Sequence, residues 1–486
     1  MNTKTVSYLL GKVFFFLGAI YLIPFLVALV YGDAGRWIFP ACMGICLAAG
    51  LGCRTYGSFN KYTENISNRD GIITVVLAWV LVAFLSGIPY VLSGMLDPVS
   101  AYFEAMSGLT TTGATALSEI EGWPMSLLFW RPLTHWLGGL GIIVIFIALL
   151  PQISGSAAHL FNAEVSGFTS DKLKPRLKST ALTLFRIYSL ITAVTMVALM
   201  CCGLNWYDAV SHAMSAVATG GFSNYNDSVA HFHSVWVEGI LGASMIISAA
   251  NFALYFQMTR KGPRVLWEDE EFHYYILMVT GIIGLITLDL MLEGQGGLGG
   301  SLRNAFFNVA SFASTTGYVA GNYETWPAFS KLLLAVLYFT GACAGSTAGG
   351  IKVSRFVVLV KAMKAEFRHM MHPHNWDAVK YNGKELGKEV VFPILAFFCL
   401  YLLSTVVLSV LVAATGVPLL ESLSGVAACI SSVGPGFGFV GAVGNYATIP
   451  AAGKLVLSLA MLLGRLELFT VLVLCCRDFW RSSSKW

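Results

Sequence analysis

Residues Phe103–Thr115 read FEAMSGLTTTGAT and lie between two long apolar runs. Threonine and glycine weaken a helix, glycine by about 1 kcal/mol relative to alanine in a helix interior. The rest of the chain is strongly apolar: 56% of its 486 residues are hydrophobic and 12% are charged, whereas soluble domains carry roughly 25% charged residues. A polar, turn-prone segment inside such a chain is therefore the feature that the fold must explain.

Several apolar runs approach or reach the roughly 20 residues that a helix needs to cross a bilayer, some of them only with flanking glycines. These runs are Leu9–Tyr31, Ile72–Leu92, Ile142–Ile153, Leu182–Cys202, Val237–Phe256, Tyr275–Leu292, Leu332–Thr340, Val390–Ala414 and Leu455–Cys476. They predict an all-α polytopic membrane protein. A cleavable signal peptide is not expected, because the first run is too long and no clean small-residue cleavage site follows it.

The polar segment recurs along the chain. Ala105–Gly113 reads AMSGLTTTG, Ala213–Gly220 reads AMSAVATG, Ala310–Gly317 reads ASFASTTG and Val426–Gly434 reads VAACISSVG. Each copy follows a short lead-in and lies between two apolar runs. This internal repeat predicts four units, each with a span, a short half-helix, a polar loop and a second span.

Non-helical backbone at membrane depth is tolerated only where it is buried in protein or lines a water-filled cavity. Four such loops around one axis would point carbonyl groups at a dehydrated cation, and glycine would allow the backbone conformations that this requires. Each half-helix would aim its partially negative end at the same point. No charged residue stands beside the loop glycines, which favours a monovalent ion over Ca²⁺ or Mg²⁺. The alternative is that the segments are small-residue contacts between packed helices.

The strings TTTGAT, ATGGFS, STTGYV and SSVGPGF resemble the four filter loops of the Trk/Ktr/HKT superfamily of potassium transporters, and the bacterial TrkH-type pore subunit most closely. Further stretches are similar to the same family: Phe129–Val144 (FWRPLTHWLGGLGIIV), Gly341–Arg355 (GACAGSTAGGIKVSR) and Met461–Thr470 (MLLGRLELFT). The resemblance covers essentially the whole chain.

The resemblance implies an N-terminal helix pair (residues 1–66) and four span–pore-helix–filter-loop–span repeats around one pore (67–155, 178–260, 270–365 and 386–486). It implies K⁺ as the transported ion, selected because the key filter positions Gly113, Gly220, Gly317 and Gly434 are all glycine. No bound organic cofactor is expected in this chain. The implied filter residues are Thr111, Thr112, Gly113, Ala218, Thr219, Gly220, Gly221, Thr315, Thr316, Gly317, Ser432, Val433 and Gly434.

A second glycine-rich segment lies inside the span after the third loop, which is predicted to be broken there. The resemblance makes it a gating loop beneath the filter, whereas close helix packing is the alternative. The residues concerned are Gly345, Ser346, Thr347, Ala348, Gly349 and Gly350.

Arg465 lies within an apolar run, where an arginine costs at least about 2.5 kcal/mol on insertion scales. Glu467 is too close in sequence to share its helix face. By resemblance Arg465 projects into the pore below the filter, and a structural salt bridge elsewhere is the alternative. Snorkelling or helix capping is the interpretation for Arg131, His135 and Lys352.

Basic residues are concentrated in alternate loops, namely Lys172–Lys178, Arg260–Arg264 and Lys352–Lys388. The positive-inside rule places these loops and the C-terminus in the cytoplasm, so the net charge of +4 reflects topology and does not indicate nucleic-acid binding. The resemblance implies a multi-pass protein of the bacterial inner membrane. Its partners would be a second copy of the chain and a cytosolic, nucleotide-binding TrkA-like subunit docked on the basic loops Lys172–Lys178 and Lys352–Lys388.

Enzymatic motifs are absent from the sequence: there is no P-loop, no GxSxG and no nucleotide fingerprint, so an enzyme is not expected. Two other classes of membrane protein are the alternatives to a potassium transporter. A secondary transporter of a small organic solute would show inverted repeats and buried side chains able to bind a carboxylate or an ammonium group. A non-transporting membrane anchor would leave the four loops unexplained. Channel-like flux and ion-coupled symport are both compatible with the sequence.

Overall fold

The computed structural model describes residues 2–57, 67–141, 177–372 and 378–481. Nearly all regular elements in these ranges are helices, as predicted, and β1 (Val379–Tyr381) and β2 (Lys384–Leu386) form an antiparallel hairpin. Six of the described helices are long and apolar enough to cross a membrane, or up to eight spans exist if each of two bent helix pairs counts as one. The predicted span Ile142–Ile153 and residues 172–176 of the first basic loop lie outside the described residues.

In chain order the helices are α1 (Thr3–Ile20), α2 (Leu22–Tyr31), α3 (Gly35–Tyr56), α4 (Asn68–Leu92), α5 (Pro98–Leu109), α6 (Met125–Gly139), α7 (Leu177–Cys201), α8 (Trp206–Val217), α9 (Val235–Ser248), α10 (Phe252–Lys261), α11 (Arg264–Glu268), α12 (Glu270–Leu292), α13 (Leu298–Ala313), α14 (Ala328–Phe339), α15 (Val353–Met371), α16 (Lys388–Ala413), α17 (Leu419–Ile430), α18 (Ala451–Arg465), α19 (Leu468–Leu472) and α20 (Arg477–Arg481).

The N-terminal helices α1 to α3 pack against the first repeat. The Tyr21 hydroxyl donates a hydrogen bond of 2.8 Å to the Leu85 carbonyl of α4. At the opposite end of this region, the Asp33 carboxylate accepts from the backbone N–H and the hydroxyl of Ser126, at 2.9 and 2.7 Å, where α6 begins. These bonds tie the helix pair to both sides of the first polar loop.

The short helices α5, α8, α13 and α17 lead into the four polar loops. They contain 12 to 16 residues and are therefore about 18–24 Å long, too short to cross a hydrocarbon core of about 30 Å. Asp97 caps α5 by accepting from the N–H groups of Val99 and Ser100, and Asn205 caps α8. The long helices α4, α7, α12 and α16 precede them in the chain, so each loop lies inside the bundle between a long helix and a second, following helix.

The helices that follow the loops are broken more often than the sequence predicted. One break was expected, in the third repeat, where α14 and α15 are separated by Thr340–Lys352. The structure also bends the chain by 87° between α9 and α10 and by 117° between α18 and α19. The predicted spans Val237–Phe256 and Leu455–Cys476 are therefore each interrupted by a bend that the sequence pattern did not indicate.

Local chemistry explains both additional breaks. Asn251 starts α10 by accepting from the Ala253 N–H, which is an N-cap in the middle of an apolar run. Glu467 has a φ of 57°, a left-handed conformation that no α-helix continues through. Hydropathy detects neither feature.

Large apolar side chains cover the outside of the long helices. Along α7, Leu190, Val194 and Val197 are between 52% and 63% exposed. Their i, i+4, i+7 spacing places them on one helix face, where lipid would cover them. The polar loops lie instead among buried residues, on the inner side of the bundle.

Candidate ion filter and gate

The four short helices end in the same way. The residue after each C-cap adopts a left-handed conformation, with φ between 55° and 58°, although none of these residues is glycine. They are Thr111, Thr219, Thr315 and Ser432. A non-glycine residue in this conformation is uncommon, and four in corresponding places indicate a constraint imposed by the surrounding structure.

The hydrogen bonds at these helix ends repeat as well. The next N–H along the chain, that of Thr112, Gly220, Thr316 or Val433, donates to the carbonyl five residues earlier at 2.8–2.9 Å. Together with the bond from the left-handed residue to the carbonyl three residues earlier, this is a complete Schellman motif in each loop. The four loops therefore share one backbone register.

This register corrects the sequence alignment of the second loop. The glycine that follows the Schellman motif has φ of 81° at Gly113, 78° at Gly317 and 95° at Gly434, and in the second loop it is Gly221, with φ of 85°. Gly220, which the sequence matched to Gly113, corresponds instead to Thr112. The sequence pattern aligns the first glycine of the second loop, Gly220, with Gly113. The backbone conformation shows that the equivalent residue is the second glycine, Gly221.

The four left-handed glycines pack against one another in a closed cycle. A Cβ on Gly113 would come within 3.0 Å of the carbonyl oxygen of Gly220, closer than real Cβ contacts are found. The remaining contacts of the cycle, also within 3.0 Å, are Gly221 with the Thr316 carbonyl, Gly317 with the Val433 carbonyl and Gly434 with the Thr112 carbonyl. The loops thus form a ring in which each position requires a residue without a side chain. We call these four loops the glycine ring.

Tyrosines support the glycine ring from behind. The hydroxyls of Tyr446, Tyr338 and Tyr318 donate to the carbonyls of Gly434, Pro435 and Phe222 at 2.7, 2.8 and 3.1 Å. All three side chains are buried. These bonds fix the backbone just beyond the ring, because a buried hydroxyl without its acceptor is costly.

The glycine-rich segment Gly341–Lys352 lies against one face of the ring, and we call it the gating loop after the role that the family resemblance implies for it. Its neck is closed by a 2.7 Å bond from the Gly341 N–H to the Ile351 carbonyl. The Thr347 hydroxyl lies 3.3 Å from the Thr219 hydroxyl of the second ring loop. The Gly349 N–H donates to the Thr315 hydroxyl of the third at 2.8 Å.

The fourth ring loop is also in contact with the gating loop. A Cβ on Gly349 would lie within 3.0 Å of the Ser431 carbonyl and of the Ser432 side chain. Gly349 therefore packs directly against the fourth loop, and a larger residue would push the two apart. The gating loop thus touches the left-handed residues of three of the four ring loops.

Arg465 completes the contacts with the remaining ring loop. It is the last residue of α18, where the partial negative charge of the helix end favours a cation, and not the middle of a span as the sequence suggested. Its guanidinium donates to the Thr347 carbonyl at 2.8 Å and to the Thr111 hydroxyl at 3.3 Å. It also donates to the carbonyls of Gly139, at 2.8 Å, and Gly138. Arg465 and the gating loop together contact all four left-handed residues.

The sequence and the fold of this chain match those of known proteins. A family model described as TrkH, cation transport protein, matches residues 44–481. The chain belongs to the TrkH family. It is 35% identical to the Trk system potassium uptake protein TrkH of Halomonas elongata over 99% of this chain and 100% of that protein, and 34% identical to that of Salmonella typhimurium with the same coverage. The crystal structure of the potassium transporter TrkH from Vibrio parahaemolyticus matches with a TM-score of 0.89 and 32% identity, covering 99% of this chain and 100% of that one.

Membership of the TrkH family confirms the all-helical membrane fold and the expectation that the chain is not an enzyme. Within the described residues, no three His, Cys, Asp or Glu side chains are grouped so that they could hold a metal ion. The candidate site of this TrkH-family chain is built from carbonyls, hydroxyls and one guanidinium.

Two polar residues of α6, Arg131 and His135, were interpreted from the sequence as snorkelling or capping groups, and the structure contradicts this. Arg131 is 1% exposed and pairs with the fully buried Glu104 of α5 at 2.9 Å. It also donates to the Ser223 carbonyl, just beyond the second ring loop, at 2.8 Å. One buried arginine therefore connects α5, which leads into the first ring loop, with the segment that follows the second ring loop.

His135, one turn further along α6, makes a second connection. Its Nδ1 lies 2.8 Å from the Gly108 carbonyl of α5, and its Nε2 lies 3.3 Å from the Phe222 N–H. Because the carbonyl can only accept and the N–H can only donate, the ring is neutral and carries its proton on Nδ1. A Cβ on Gly220 would collide with this ring, which explains why the second loop has two consecutive glycines.

Lys352, the third residue assigned to snorkelling, is also buried. Its ammonium group donates to the Ala348 carbonyl within the gating loop. Arg355, one turn further along α15, pairs at 2.8 Å with Glu467, which lies in the break between α18 and α19. Glu467 therefore has an ion-pair partner on α15.

The signal that could have identified the Arg131 contact is the charge of Glu104. Glu104 and Arg131 each lie in an apolar helix of the same repeat, and a buried charge is stable only when it is paired. Sequence reasoning treated the two residues separately. No comparable signal points to His135, because a histidine on an apolar helix has many possible partners.

Proposed function

We propose that the chain carries K⁺ across the cytoplasmic membrane through the glycine ring, and that the gating loop and Arg465 close the path on one side of the ring. The observation that carries this proposal is the closed cycle of four glycines, each packed against the carbonyl of the next loop. Such a cycle surrounds one axis with backbone oxygens, which can replace the hydration shell of a cation.

The preference for K⁺ is supported by the chemistry of the ring and by the relatives. Hydroxyl and carbonyl oxygens without a carboxylate suit a monovalent ion that loses its water readily. The similar proteins of Halomonas elongata and Salmonella typhimurium are named as potassium uptake proteins. The Arg131–Glu104 pair is internally compensated and adds little net charge at the ring.

The closing role of Arg465 rests on charge and position. A guanidinium bonded to Thr111 and to the gating loop stands directly beside the ring. Two unit charges of the same sign 4 Å apart repel by about 4 kcal/mol at an effective dielectric constant near 20. A barrier of this height would lower the rate of cation passage by about three powers of ten. Movement of this side chain together with the gating loop would open the path.

We further propose the assembly that the family resemblance implies. The chain would form a homodimer in a bacterial inner membrane with its C-terminus in the cytoplasm. A cytosolic nucleotide-binding subunit of the TrkA type would act on the side that carries the gating loop. Exposed basic residues on that side, such as Lys364 and Lys384, support this orientation.

The experiment that tests the proposal is ion flux into liposomes that contain the purified chain. Uptake of K⁺ and Rb⁺ is expected to exceed uptake of Na⁺, and the preference is expected to fall in Gly113→Ser and Gly221→Ser. A chain that takes up a small organic solute but no Rb⁺ would favour the secondary transporter. Unaltered Rb⁺/Na⁺ ratios in both serine variants would refute the assignment of the ring as the filter.

A further inference from the structure

Glu271 is a buried carboxylate that contacts the chain on both sides of the residues with which the gating loop touches the glycine ring. It is the second residue of α12 and is 3% exposed. Its Oε1 accepts from the Ala344 N–H at 2.8 Å and from the Ser354 N–H at 2.9 Å. Ala344 precedes the part of the gating loop that touches the ring, and Ser354 follows it at the start of α15. One carboxylate oxygen therefore holds the chain on both sides of the ring contacts.

The strength of this arrangement depends on the loop being closed. A buried carboxylate is costly unless it is hydrogen-bonded, and bonds to an ionised acceptor are stronger than neutral ones. The two N–H donors lie on opposite sides of the ring contacts along the chain. Ser354 lies in the first turn of α15, where the helix end favours a negative charge. If the two ends moved with the loop, Glu271 would lose partners in a dry environment.

The residues next to Glu271 are themselves held from the cytoplasmic hairpin of β1 and β2. The Asn382 side chain accepts from the Glu270 N–H at 2.9 Å and donates to the Asp269 carboxylate at 3.0 Å. Lys361 of α15 pairs with Glu270 at 2.6 Å and also donates to the Lys380 carbonyl of the hairpin at 2.8 Å. The hairpin is thus connected to the two residues that immediately precede Glu271 at the start of α12.

We infer that Glu271 is a positioning residue that latches the gating loop in its closed state, and that the hairpin sets the position of this latch. The inference rests on the proposed function, because it assigns the latch to the loop that we propose as the gate. Release of the two bonds loosens the chain at Ala344 and Ser354, on both sides of the ring contacts, at once, whereas loss of any single ring contact leaves both of these bonds in place.

The test compares two variants of Glu271 in the liposome flux assay. Glu271→Ala removes the acceptor, and basal Rb⁺ flux is expected to rise about tenfold or more, since bonds to a charged acceptor contribute at least a factor of that order. Glu271→Gln keeps an oxygen that can accept from both N–H groups but removes the charge, and its flux is expected to stay within about threefold of the unsubstituted chain. Unchanged flux in Glu271→Ala, or an equal rise in both variants, would overturn the inference.

Glu238 provides a matched control. It is also a buried carboxylate that accepts two bonds, from Arg303 at 2.6 Å each, but it does not contact the gating loop. Glu238→Ala is expected to lower thermal stability in detergent without raising flux. If Glu271 were merely structural, Glu271→Ala would behave in the same way, and that outcome too would overturn the latch.

The rate of thiol labelling is a second measurement, and it applies also if Glu271→Ala folds too poorly for the flux assay. Cys343 is fully buried next to Ala344, and Cys429 is fully buried in α17. Release of the latch is expected to speed maleimide labelling of Cys343, followed by peptide mass spectrometry, while Cys429 remains protected. Glu271→Asp, which keeps the charge on a shorter side chain, serves if Glu271→Ala is not recovered, and an unaltered Cys343 rate in that variant overturns the latch.

The failure of the latch can be told apart from the failure of the proposed function. The serine variants of the glycine ring are measured in the same liposomes. If Gly221→Ser changes the Rb⁺/Na⁺ ratio while the Glu271 variants leave flux and labelling unaltered, the filter stands and the latch is wrong. If Gly221→Ser has no effect, the proposed function itself is wrong.

Discussion

Gly220 and Gly221 are adjacent residues that lack a side chain for different reasons. Gly221 has a positive φ and faces the Thr316 carbonyl of the next loop, whereas Gly220 faces the His135 ring. The two positions therefore respond differently when the histidine is removed, and this separates the filter position from its support.

We predict that Gly220→Ala costs about 1–3 kcal/mol by overpacking against His135, and that His135→Ala offsets part of this cost. Gly221→Ala is expected to gain nothing from His135→Ala, because its Cβ would meet backbone. The measurement is thermal unfolding of the single and double variants in detergent. Additive shifts for Gly220 and His135 would contradict the steric explanation.

Arg465 combines a charge with a planar set of donors. Arg465→Ala is expected to raise Rb⁺ flux by about tenfold or more and to leave the order of ion preference unchanged, because the ring itself is intact. Arg465→Lys keeps the charge but cannot reach the carbonyls of Gly139 and Thr347 together, so an intermediate flux is expected.

Flux and stability must be measured together for these two variants. If Arg465 served only as a structural group, both substitutions would lower the melting temperature in detergent and neither would raise flux. A stability loss in Arg465→Ala without any gain in Rb⁺ uptake would therefore remove Arg465 from the gate.

The residues of the ring loops could be located from sequence because they recur four times, but their register and supports could not. A repeat of Ser, Thr and Gly marks the place of a loop, whereas the choice between Gly220 and Gly221 depends on φ, a backbone property. Arg131 and His135 contact residues 27 positions away, at Glu104 and Gly108. Such contacts depend on how α5 and α6 pack, which hydropathy does not contain.

At the scale of elements, the gating loop is the segment whose removal is most informative. Deletion of Ser346–Ala348 removes the Thr347 contacts with Arg465 and with the second ring loop. Basal Rb⁺ flux is expected to rise about tenfold or more with unaltered ion order. Deletion of Gly294–Gly296, an exposed turn of equal length before α13, is the control and is expected to leave flux unchanged.

If the deletion variant folds normally and conducts as the unsubstituted chain does, the segment serves only in helix packing and is not a gate.

The sequence correctly indicated the break between α14 and α15, because several small residues stand together in an apolar run. It missed the breaks at Asn251 and Glu467, where a single capping residue or a single left-handed residue ends the helix. Average hydropathy over a span of about 20 residues is insensitive to one residue.

At the scale of the whole molecule, charge is distributed unevenly between the two ends of the bundle. The end that carries the gating loop exposes Lys380 and Lys384 in the hairpin. The opposite end, after the first ring loop, exposes Glu119 and Glu121. By the positive-inside rule, this asymmetry predicts that the proposed gate lies toward the cytoplasm, where the proposed regulatory subunit would reach it.

Protease accessibility in oriented vesicles tests this placement. Trypsin added to inside-out vesicles is expected to cut after Lys380 or Lys384, because both are exposed in a short hairpin outside the bundle. The same enzyme added to right-side-out vesicles should leave these bonds intact, whereas a glutamate-specific protease should cut there after Glu119 or Glu121. Tryptic fragments that end at Lys380 from right-side-out vesicles would reverse the orientation. The gating loop would then face the outside, and the latch at Glu271 could not be controlled by a cytosolic partner through the hairpin.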